Sequence, residues 1–354
     1  MDAVIERFRE QVRAASASGT PLRLRGGGSK DWYGQHVAGE LLDTRAFAGV
    51  VDYEPTELVI TARCGTPLAE IEALLARHGQ MLAFEPPRFG AASTIGGVVA
   101  SGLSGPRRAA AGAVRDFVLG AQLLDGRGEL LAFGGQVMKN VAGYDVSRLL
   151  AGSLGTLGVI TQVSLKVLPA PYREATLRFD MDEITALRRM NEWAGQPLPV
   201  SATCWHNGVL TVRLSGAQAA VKAALQRLGG DALANGDAFW NSLRDQTREY
   251  FGGAGELWRL SVPPAASAII LRGEQLIEWG GAQRWLRVEQ GAAEDIRRVA
   301  AAAGGHATRF RMAGSASGAG QGAFHPLAPA LARIEQRLRE AFDPAGIFNR
   351  GRQY

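Results

Sequence analysis

The sequence predicts an α+β fold divided into two domains. Its 354 residues exceed what one hydrophobic core usually organises. Helical and strand-like hydrophobic patterns alternate up to Pro169 and Pro171, which interrupt the last strand pattern of this part. The chain then follows the order β-α-β-β-α-β, which is typical of a ferredoxin-like sheet with helices on one face. We therefore expect a first domain at 1–170, a second at 171–326, and a C-terminal helix and tail at 327–354.

The first domain is predicted to begin with a helix and to contain several strands. Its predicted elements are a helix at 2–17 and strands at Pro21–Arg25, Gly49–Tyr53, Glu57–Arg63, Phe117–Leu124, Glu129–Phe133 and Val159–Val167. The turn Asp125-Gly126-Arg127-Gly128 lies between two of these strands and predicts a hairpin. Apolar residues at odd positions alternate with Gln162, Ser164 and Lys166, which predicts a half-buried strand.

One further helix of the first domain has clear boundary signals. Thr66 is expected to cap it, Pro67 to occupy the first helical position and Gly79 to close it. Its apolar residues recur at helical spacing, so they are expected to form a buried stripe. This stripe comprises Leu68, Ile71 and Leu75.

The second domain is predicted from six segments and one strong turn. These are strands at 175–180, 200–206, 209–214 and near 257–262, with helices at 183–194 and 217–228. Asn207-Gly208 predicts a tight hairpin. The low-complexity run AGSASGAGQGA at 313–323 predicts a mobile loop, and a last helix is expected at 327–341.

Composition excludes several classes of function. The formal net charge is +5, and the arginines are scattered rather than gathered in a tail or stripe, which disfavours nucleic-acid binding. Cys64 and Cys204 are far apart and belong to no Cys/His cluster, so we predict no metal site in this chain and a reducing compartment. The sequence shows no signal peptide and no apolar run long enough to span a membrane.

A triple glycine between cations is the first candidate binding motif. In Arg25-Gly26-Gly27-Gly28-Ser29-Lys30, backbone N–H groups without Cβ atoms can converge on an anion, and the two cations add attraction. A diphosphate carries the charge that such a loop would bind. The loop lacks the spacing of the Rossmann and P-loop motifs. Taken alone, the triple glycine is better explained as a flexible turn, and the other segments change that interpretation.

Three other glycine-rich segments could complete a nucleotide site. Ser93-Thr94-Ile95-Gly96-Gly97 offers hydroxyls and bare amides at a predicted helix start. The segment GLSGPRR, which begins at Gly102, would let the backbone approach a flat ring. Gly155-Thr156-Leu157-Gly158-Val159-Ile160 runs into a strand whose backbone could pair with an adenine edge, or it is a plain turn. Together with the triple glycine, these segments indicate a site for FAD.

These segments also carry a resemblance to a known family. RGGGSK, ASTIGG, GLSGPRRAAAGAVRDFVLG, VMKNVAGYDVSRL and GSLGTLGVIT resemble the FAD-binding domain of the vanillyl-alcohol-oxidase (PCMH) type. More narrowly, DYEPTELVITARCGTPL, LIEWGGAQRWL, GGHATRF and FDPAGIFNRGR resemble the FAD-binding E-type subunits of bacterial glycolate oxidase. The resemblance covers nearly the whole chain.

The resemblance implies a fold and a cofactor site. The fold would be a two-part PCMH-type FAD-binding domain, a ferredoxin-like α+β cap domain, and a C-terminal tail that packs back on the FAD domain. The predicted cofactor-binding residues are Arg25, Gly26, Gly27, Gly28, Ser29, Lys30, Ser93, Thr94, Gly96, Gly97, Gly102, Gly105, Gly155, Gly158, Val159 and Ile160. Ser29 and Lys30 follow the glycines where some relatives attach flavin to His or Cys, so we predict non-covalent FAD.

The resemblance also implies an activity and partners. The complex would oxidise glycolate and related 2-hydroxy acids, with a second, D-type flavin subunit and an F-type iron–sulfur subunit passing electrons to the respiratory chain. The chain would then be cytoplasmic and peripherally attached to the inner membrane through the complex.

Catalytic residues are less clearly indicated. Related dehydrogenases carry a metal-binding HxGDGNxH stretch, which this chain lacks; the nearest segment is GHATRFR, which begins at Gly305. Oxidation of a hydroxy acid needs a base and a cation for the carboxylate. We predict His306 as the base and Arg309, or alternatively Arg311, as the cation, whereas His306 could instead be a polar residue at a strand edge.

Residues near the flavin leave further alternatives open. Lys139, Tyr144 and Asp145 could organise the flavin site, or Asp145 could cap the next short helix. The chain is accordingly either a flavin dehydrogenase itself or an accessory flavoprotein that relays electrons or holds the complex together. A binding protein without flavin is a third alternative.

Overall fold

The computed structural model describes residues 2–135, 145–289, 293–312 and 322–353. The chain divides into two compact units. The first comprises Met1–Ser104, Ala113–Ala170 and Pro326–Tyr354, and the second comprises Gly105–Gly112 and Pro171–His325. Gly105–Gly112 therefore belongs to the second unit, although the sequence placed it within 1–170. The predicted loop residues 313–321, together with Lys139 and Tyr144, lie outside the described residues.

The first part of the chain contains short helices and strands. In chain order they are α1 (Ala3–Ser18), β1 (Leu22–Arg25), β2 (Glu40–Asp43), β3 (Val50–Glu54), β4 (Val59–Arg63), α2 (Leu68–Arg77), β5 (Gln80–Met81), α3 (Ile95–Ser101), α4 (Arg108–Ala111), α5 (Val114–Phe117), β6 (Val118–Leu124), β7 (Leu130–Gly134), a 3-10 helix (Ser147–Leu150), β8 (Val159–Lys166) and β9 (Leu168–Pro169).

The amphipathic pattern at the N-terminus forms α1, as predicted. The Asp2 side chain accepts a hydrogen bond from the Val4 N–H and so caps the helix. Ile5, Phe8 and Val12 recur at helical spacing and are buried against residues of β1, β2 and the C-terminal tail. This core cluster stabilises the position of β1, which leads into the glycine loop.

The main sheet of the first unit has five antiparallel strands among the described residues, in the order β3-β4-β8-β6-β7. Strand β8 is central. The prediction of a half-buried strand is wrong, because six of the eight residues of β8 are buried and they lie on both of its faces. Ser164 is buried there and shares a hydrogen bond of 2.8 Å with Thr61. A paired hydroxyl can be buried at low cost, so alternation of polar and apolar residues did not reveal burial.

Helix α2 begins one residue later than predicted. Pro67 precedes it as the flanking residue, and no side chain caps its first turn. The Thr66 hydroxyl instead donates to the carbonyl of Arg63 at 2.7 Å and holds the preceding turn. The expected stripe is buried, and Gly79, in a left-handed conformation, follows the helix.

The second unit contains the remaining sheet. Its elements beyond α4 are β10 (Arg173–Asp180), α6 (Glu183–Ala194), β11 (Val200–His206), β12 (Val209–Gly216), α7 (Gln218–Leu228), β13 (Asp231–Ala232), α8 (Gly236–Arg244), α9 (Glu249–Gly252), β14 (Glu256–Ser261), β15 (Glu274–Glu278), a 3-10 helix (Trp279–Gly281), β16 (Gln283–Val288), α10 (Ala293–Ala302) and β17 (His306–Arg311).

The ferredoxin-like prediction is confirmed for the first half of this sheet and repeats in the second half. Across the described strands the order is β13-β10-β12-β11-β15-β16-β14-β17, and every pairing is antiparallel. If β10 to β13 are numbered 1 to 4 along the chain, their order across the sheet is 4-1-3-2, the ferredoxin-like order. Strands β14 to β17, numbered in the same way, follow as 2-3-1-4, which is the same order read from the other edge. The strand predicted near 257–262 is therefore β14, the first strand of the second half, and not the fourth strand of the first half.

The two halves of the sheet differ in one element. Helix α6 connects β10 to β11, whereas an irregular segment connects β14 to β15. The buried guanidinium of Arg284 donates to the carbonyls of Ala266 and Ser267 in that segment, at 2.6 and 2.7 Å. These bonds hold the segment over the sheet, because a buried arginine must place its donors on acceptors.

Helices cover both faces of this sheet, so the expectation of helices on one face is incomplete. Leu187 of α6 and Val221 of α7 belong to one buried cluster with Leu177 of β10. Thr176, which precedes Leu177 and so points to the opposite face, accepts a hydrogen bond from the indole of Trp240 in α8 at 3.0 Å. Short α8 lay outside the predicted elements.

The last helix, α11 (Pro329–Phe342), returns to the first unit, as does the tail after it. Phe348 of the tail forms a parallel bridge with Leu22 of β1. Among the residues the structure describes, no helix combines the length and apolar character that crossing a bilayer would need.

Candidate cofactor site

The glycine loop follows β1 and is packed too closely for any side chain. A Cβ atom at Gly27 would overlap the carbonyl oxygen of Ala92, and one at Gly26 would overlap the hydroxyl of Thr94. Gly28 has φ +71°, a left-handed conformation that favours glycine. The loop therefore presents bare backbone to its surroundings because three separate constraints exclude a side chain.

This loop lines a cleft of about 150 Å³ in the first unit. Four cationic side chains line the same cleft: Arg23, Arg25, Lys30 and Arg352. The Arg25 guanidinium pairs with Asp31 at 2.7 Å, and the Lys30 ammonium donates to the Ser93 hydroxyl at 3.1 Å. Ser93 therefore contacts Lys30 without lining the cleft itself. The cleft carries an excess of positive charge, which suits an anionic ligand.

The segment Thr94–Gly97 forms the opposite side of the glycine loop. Thr94 precedes α3, and its hydroxyl accepts a hydrogen bond from the Gly97 N–H at 3.3 Å. Thr94 and Gly97 line the cleft together with the loop. Gly96 packs against Cys64, where a Cβ atom would lie 2.7 Å from the Cys64 Cβ.

A second cleft of about 90 Å³ adjoins the first. It is lined by Gly96, Gly155, Gly158, Val159 and Ile160, among others. The two clefts share the following residues: Leu24, Arg25, Gly26, Gly97, Ala100, Leu154 and Asn349. The triple glycine and the start of β8, although far apart in sequence, therefore meet in one continuous site.

Two predicted glycines do not line these clefts. Gly102 ends α3 in a left-handed conformation, with φ +65°, and packs against Gly152. Gly105 belongs to the second unit, where its carbonyl accepts a hydrogen bond from the indole of Trp279 at 3.0 Å. Asp145 accepts hydrogen bonds from the Ser147 hydroxyl at 3.1 Å and from the Arg148 N–H at 3.4 Å, a geometry that favours the capping alternative.

The two predicted catalytic residues lie on the edge strand β17 and face opposite ways. His306 through Arg309 pair in regular register with Ser261 through Trp258 of β14. Because side chains alternate along a strand, His306 and Arg309 project to opposite faces of the sheet. Arg309 pairs with Glu256 at 3.3 Å, on the face covered by α10.

The electrostatics of His306 and Arg311 also differ. His306 is exposed; partial desolvation of the ring, and then the positive charge of Arg259 and the neighbouring His325, lower its pKa. Arg311 pairs with Leu257 beyond a register shift in β17, so it projects to the same face as His306. Desolvation and then Arg287 lower the pKa of the Arg311 guanidinium to about 10. His306 is therefore uncharged at neutral pH and can accept a proton, whereas Arg311 keeps its charge.

Several residues of the clefts were missed by the sequence reasoning. They are Arg23, Leu24, Asp31, His36, Val37, Thr44, Cys64, Ala100, Ser101, Leu154, Asn349 and Arg352. Asn349 and Arg352 stand in the FNRGR tail, which the sequence indicated as part of a family pattern without a role. The remaining residues lie in strands, helices and turns without a motif of their own, and their place in the site follows from topology alone.

The chemistry of these clefts fits FAD. A diphosphate needs several converging donors, and the first cleft supplies glycine amides beside the cations of Arg25, Lys30 and Arg352. The second cleft is narrow and lined by backbone and small or aliphatic residues, which suits a flat ring system. The residues present are those that could hold the two ends of one dinucleotide.

Comparison with known proteins gives the same result. Residues 4–134 match the FAD binding domain family. The chain is 50% identical to glycolate oxidase subunit GlcE of Escherichia coli (strain K12) over 347 residues, which cover 98% of this chain and 96% of the relative. It is 41% identical to glycolate oxidase subunit GlcD of Bacillus subtilis (strain 168) over 85 residues, 24% of this chain and 18% of that relative.

A solved structure with the same fold is alkyldihydroxyacetonephosphate synthase, with a TM-score of 0.66 and 16% identity over 97% of this chain and 75% of the synthase. At this identity, the likeness shows the fold alone. Fold and cleft together define an FAD-linked oxidoreductase with a PCMH-type FAD-binding domain, and its cofactor is FAD. Within that class, the chain belongs to the family of glycolate oxidase subunit GlcE.

Proposed function

We propose that this chain is the FAD-binding subunit of a complex that oxidises glycolate to glyoxylate. The observation that carries the proposal is the continuous cleft that joins the triple glycine to the start of β8, in a chain that matches GlcE over nearly its full length. Its partners would be a D-type flavin subunit and an F-type iron–sulfur subunit that passes electrons to the respiratory chain. The chain would then be cytoplasmic and held at the inner membrane by the complex.

The cleft residues have distinct roles in this proposal. The amides of Gly26, Gly27 and Gly28 and the charge of Arg25 and Lys30 hold the diphosphate. The backbone of Gly158 to Ile160 supports the adenosine end. Bound FAD supplies an acceptor for the two electrons that leave a 2-hydroxy acid on oxidation. The protein supplies binding and orientation.

The FAD is proposed to be non-covalent. Burial raises the pKa of the Cys64 thiol, at the wall of the second cleft, to about 12. Cys64 is therefore protonated at neutral pH, and a thiol is a poor nucleophile compared with a thiolate. Acid precipitation of the holoprotein should release the flavin into the supernatant; flavin that stays with the pellet would contradict non-covalent binding.

The proton-accepting group proposed for the reaction is His306. It is neutral at neutral pH and exposed, as a base must be to reach a substrate. The sequence predicts Arg309 as the cation that binds the carboxylate. Its side chain, however, projects to the face of β17 opposite to that of His306. This geometry favours a second candidate function, in which the chain is an accessory flavoprotein for electron relay or assembly.

Anaerobic addition of glycolate to the FAD-loaded chain separates the two candidates. Rapid loss of the visible flavin absorbance in the isolated chain supports a catalytic flavin, and a slower rate in His306→Gln supports its role as base. His78→Gln, in the first unit, is the matched control. If the flavin of the isolated chain stays oxidised while the assembled complex turns over, the accessory function is supported instead.

A further inference from the structure

The two adjoining clefts together form the proposed FAD site, called here the FAD cleft, with the glycine loop on one wall and Leu154–Ile160 on the other. The C-terminal tail contacts both walls. Asn349 is buried, and its side chain makes two hydrogen bonds to backbone groups far apart in sequence. Its carbonyl oxygen accepts from the Leu24 N–H at 2.9 Å, and its amide donates to the Leu154 carbonyl at 2.7 Å. One side chain thus bridges the strand that leads into the glycine loop and the turn that leads into β8.

Two neighbouring residues extend this bridge. The Arg352 guanidinium donates to the carbonyls of Lys30 and Asp31, both at 3.1 Å, and so holds the far end of the glycine loop. The Gln353 side chain donates to the Gly152 carbonyl at 2.7 Å and accepts from the Thr156 hydroxyl at 3.3 Å.

The backbone conformation and the close neighbours of residue 349 both favour asparagine at this position. Asn349 has φ +39°, a conformation that asparagine adopts more readily than most residues. Gly155 faces it so closely that a Cβ atom there would lie 2.7 Å from the Asn349 amide nitrogen. The turn at Gly155 and the side chain at Asn349 therefore fit each other, and both line the second cleft.

We propose that Asn349, Arg352 and Gln353 form a tail clamp that fixes the distance between the glycine loop and the Leu154–Ile160 wall, and thereby sets how tightly FAD is retained. Asn349 and Gln353 are positioning residues, because they act through the backbone of the two walls. The inference rests on FAD as the cofactor and not on the proposed reaction, so its test needs neither glycolate nor a partner subunit.

Titration of the apo chain with FAD, followed by flavin fluorescence, tests the tail clamp. Asn349→Gly removes both bridging bonds without straining the left-handed backbone, and we expect its Kd for FAD to rise about tenfold or more. Gln353→Ala should raise the Kd by a smaller factor. Arg350→Gln is the matched control, since Arg350 is exposed in the same tail and donates to the carbonyl of Gly346, four residues earlier in the chain. The Kd of this control should stay within about twofold.

Coupling between variants distinguishes a clamp from a merely structural role. Asn349 and Gln353 hold the same wall, so the effects of Asn349→Gly and Gln353→Ala on the Kd should not add in the double variant. FAD should also raise the unfolding midpoint of the single variants less than that of the unaltered chain.

A Kd within about twofold of the unaltered chain in both single variants, with only the unfolding midpoint of the apo form lowered, would overturn the proposal. If Asn349→Gly does not fold, Gln353→Ala decides alone. A Kd equal to that of Arg350→Gln then overturns the tail clamp, and a clear increase supports it.

Discussion

The FAD cleft of the first unit and the large sheet of the second unit use the chain in different ways. The cleft depends on side chains that are absent: a Cβ atom at Gly26 or Gly27 would overlap a neighbouring atom, and the proposed binding groups are backbone amides. The sheet depends on side chains that are present and buried, such as Arg284 with its carbonyl acceptors and Glu278 with the Trp285 indole. We therefore expect changes in the cleft to reduce FAD binding, and changes in the sheet of the second unit to reduce stability without reducing FAD binding.

The largest expected effect comes from a methyl group in the glycine loop. Gly27→Ala would force the loop away from the Ala92 carbonyl, so we expect loss of bound FAD together with about 3 kcal/mol or more of unfolding free energy. Gly135→Ala is the control, because a Cβ atom there meets no atom of the described residues within 4 Å. Flavin content per chain and urea unfolding measure both effects. Retention of full flavin content by Gly27→Ala would show that the loop is not packed as described.

The second largest expected effect is a loss of stability caused by a change in the second unit. Arg284→Met leaves the carbonyls of Ala266, Ser267 and Gly281 without their donor, which should lower the unfolding free energy by about 2–3 kcal/mol. Affinity for FAD should stay unchanged. Arg188→Met on the exposed side of α6 is the control and should have little effect on stability. Weaker FAD binding in Arg284→Met would remove the proposed separation between the units.

A buried polar pair in the first unit tests whether stability can fall there without a change in FAD affinity. Thr61→Val leaves the Ser164 hydroxyl of β8 without its partner and should cost about 1 kcal/mol of unfolding free energy. Because the pair lies in the main sheet and not in the cleft, FAD affinity should not change. The double variant with Ser164→Ala should recover part of the loss. Failure to recover any stability would mean that packing, and not the unpaired hydroxyl, explains the cost.

The smallest expected effect is a pH dependence of the second unit. The pKa of His306 in the folded chain lies below its ordinary value of 6.5, so the unfolded chain binds the proton more tightly. The unfolding free energy should therefore fall as the pH drops below about 6.5 and level off below the folded pKa. His306→Gln should reduce that fall, and His78→Gln serves as the comparison variant. Urea unfolding across this pH range gives the slope; a slope equal in His306→Gln and the unaltered chain contradicts the assignment.

The sequence was informative where a local rule determines the structure. The apolar spacing of α1, the turn at Asn207-Gly208 and the glycine run each report a local requirement, and each was predicted. The close backbone approach around the glycine loop could be anticipated, because glycine clusters mark it; that FAD binds there stays a prediction.

The parts that escaped prediction depend on pairings between distant segments. Strand β13 has two residues, too few to show a period, so the fourth strand of the first half was misplaced at β14. The role of Asn349 depends on contacts with Leu24 and Leu154, and no local pattern indicates either. The opposite orientation of His306 and Arg309 follows from strand alternation, which could have been applied once GHATRFR was assigned to a strand.

The order of the units along the chain has a consequence for biosynthesis. Residues of the first unit come both before and after the second, and Pro326–Tyr354 completes the first unit only when Pro171–His325 has been made. Nascent chains emerge from the ribosome in sequence order. A chain stalled within the second unit would carry the glycine loop without the tail, so loading with flavin should follow synthesis and not accompany it.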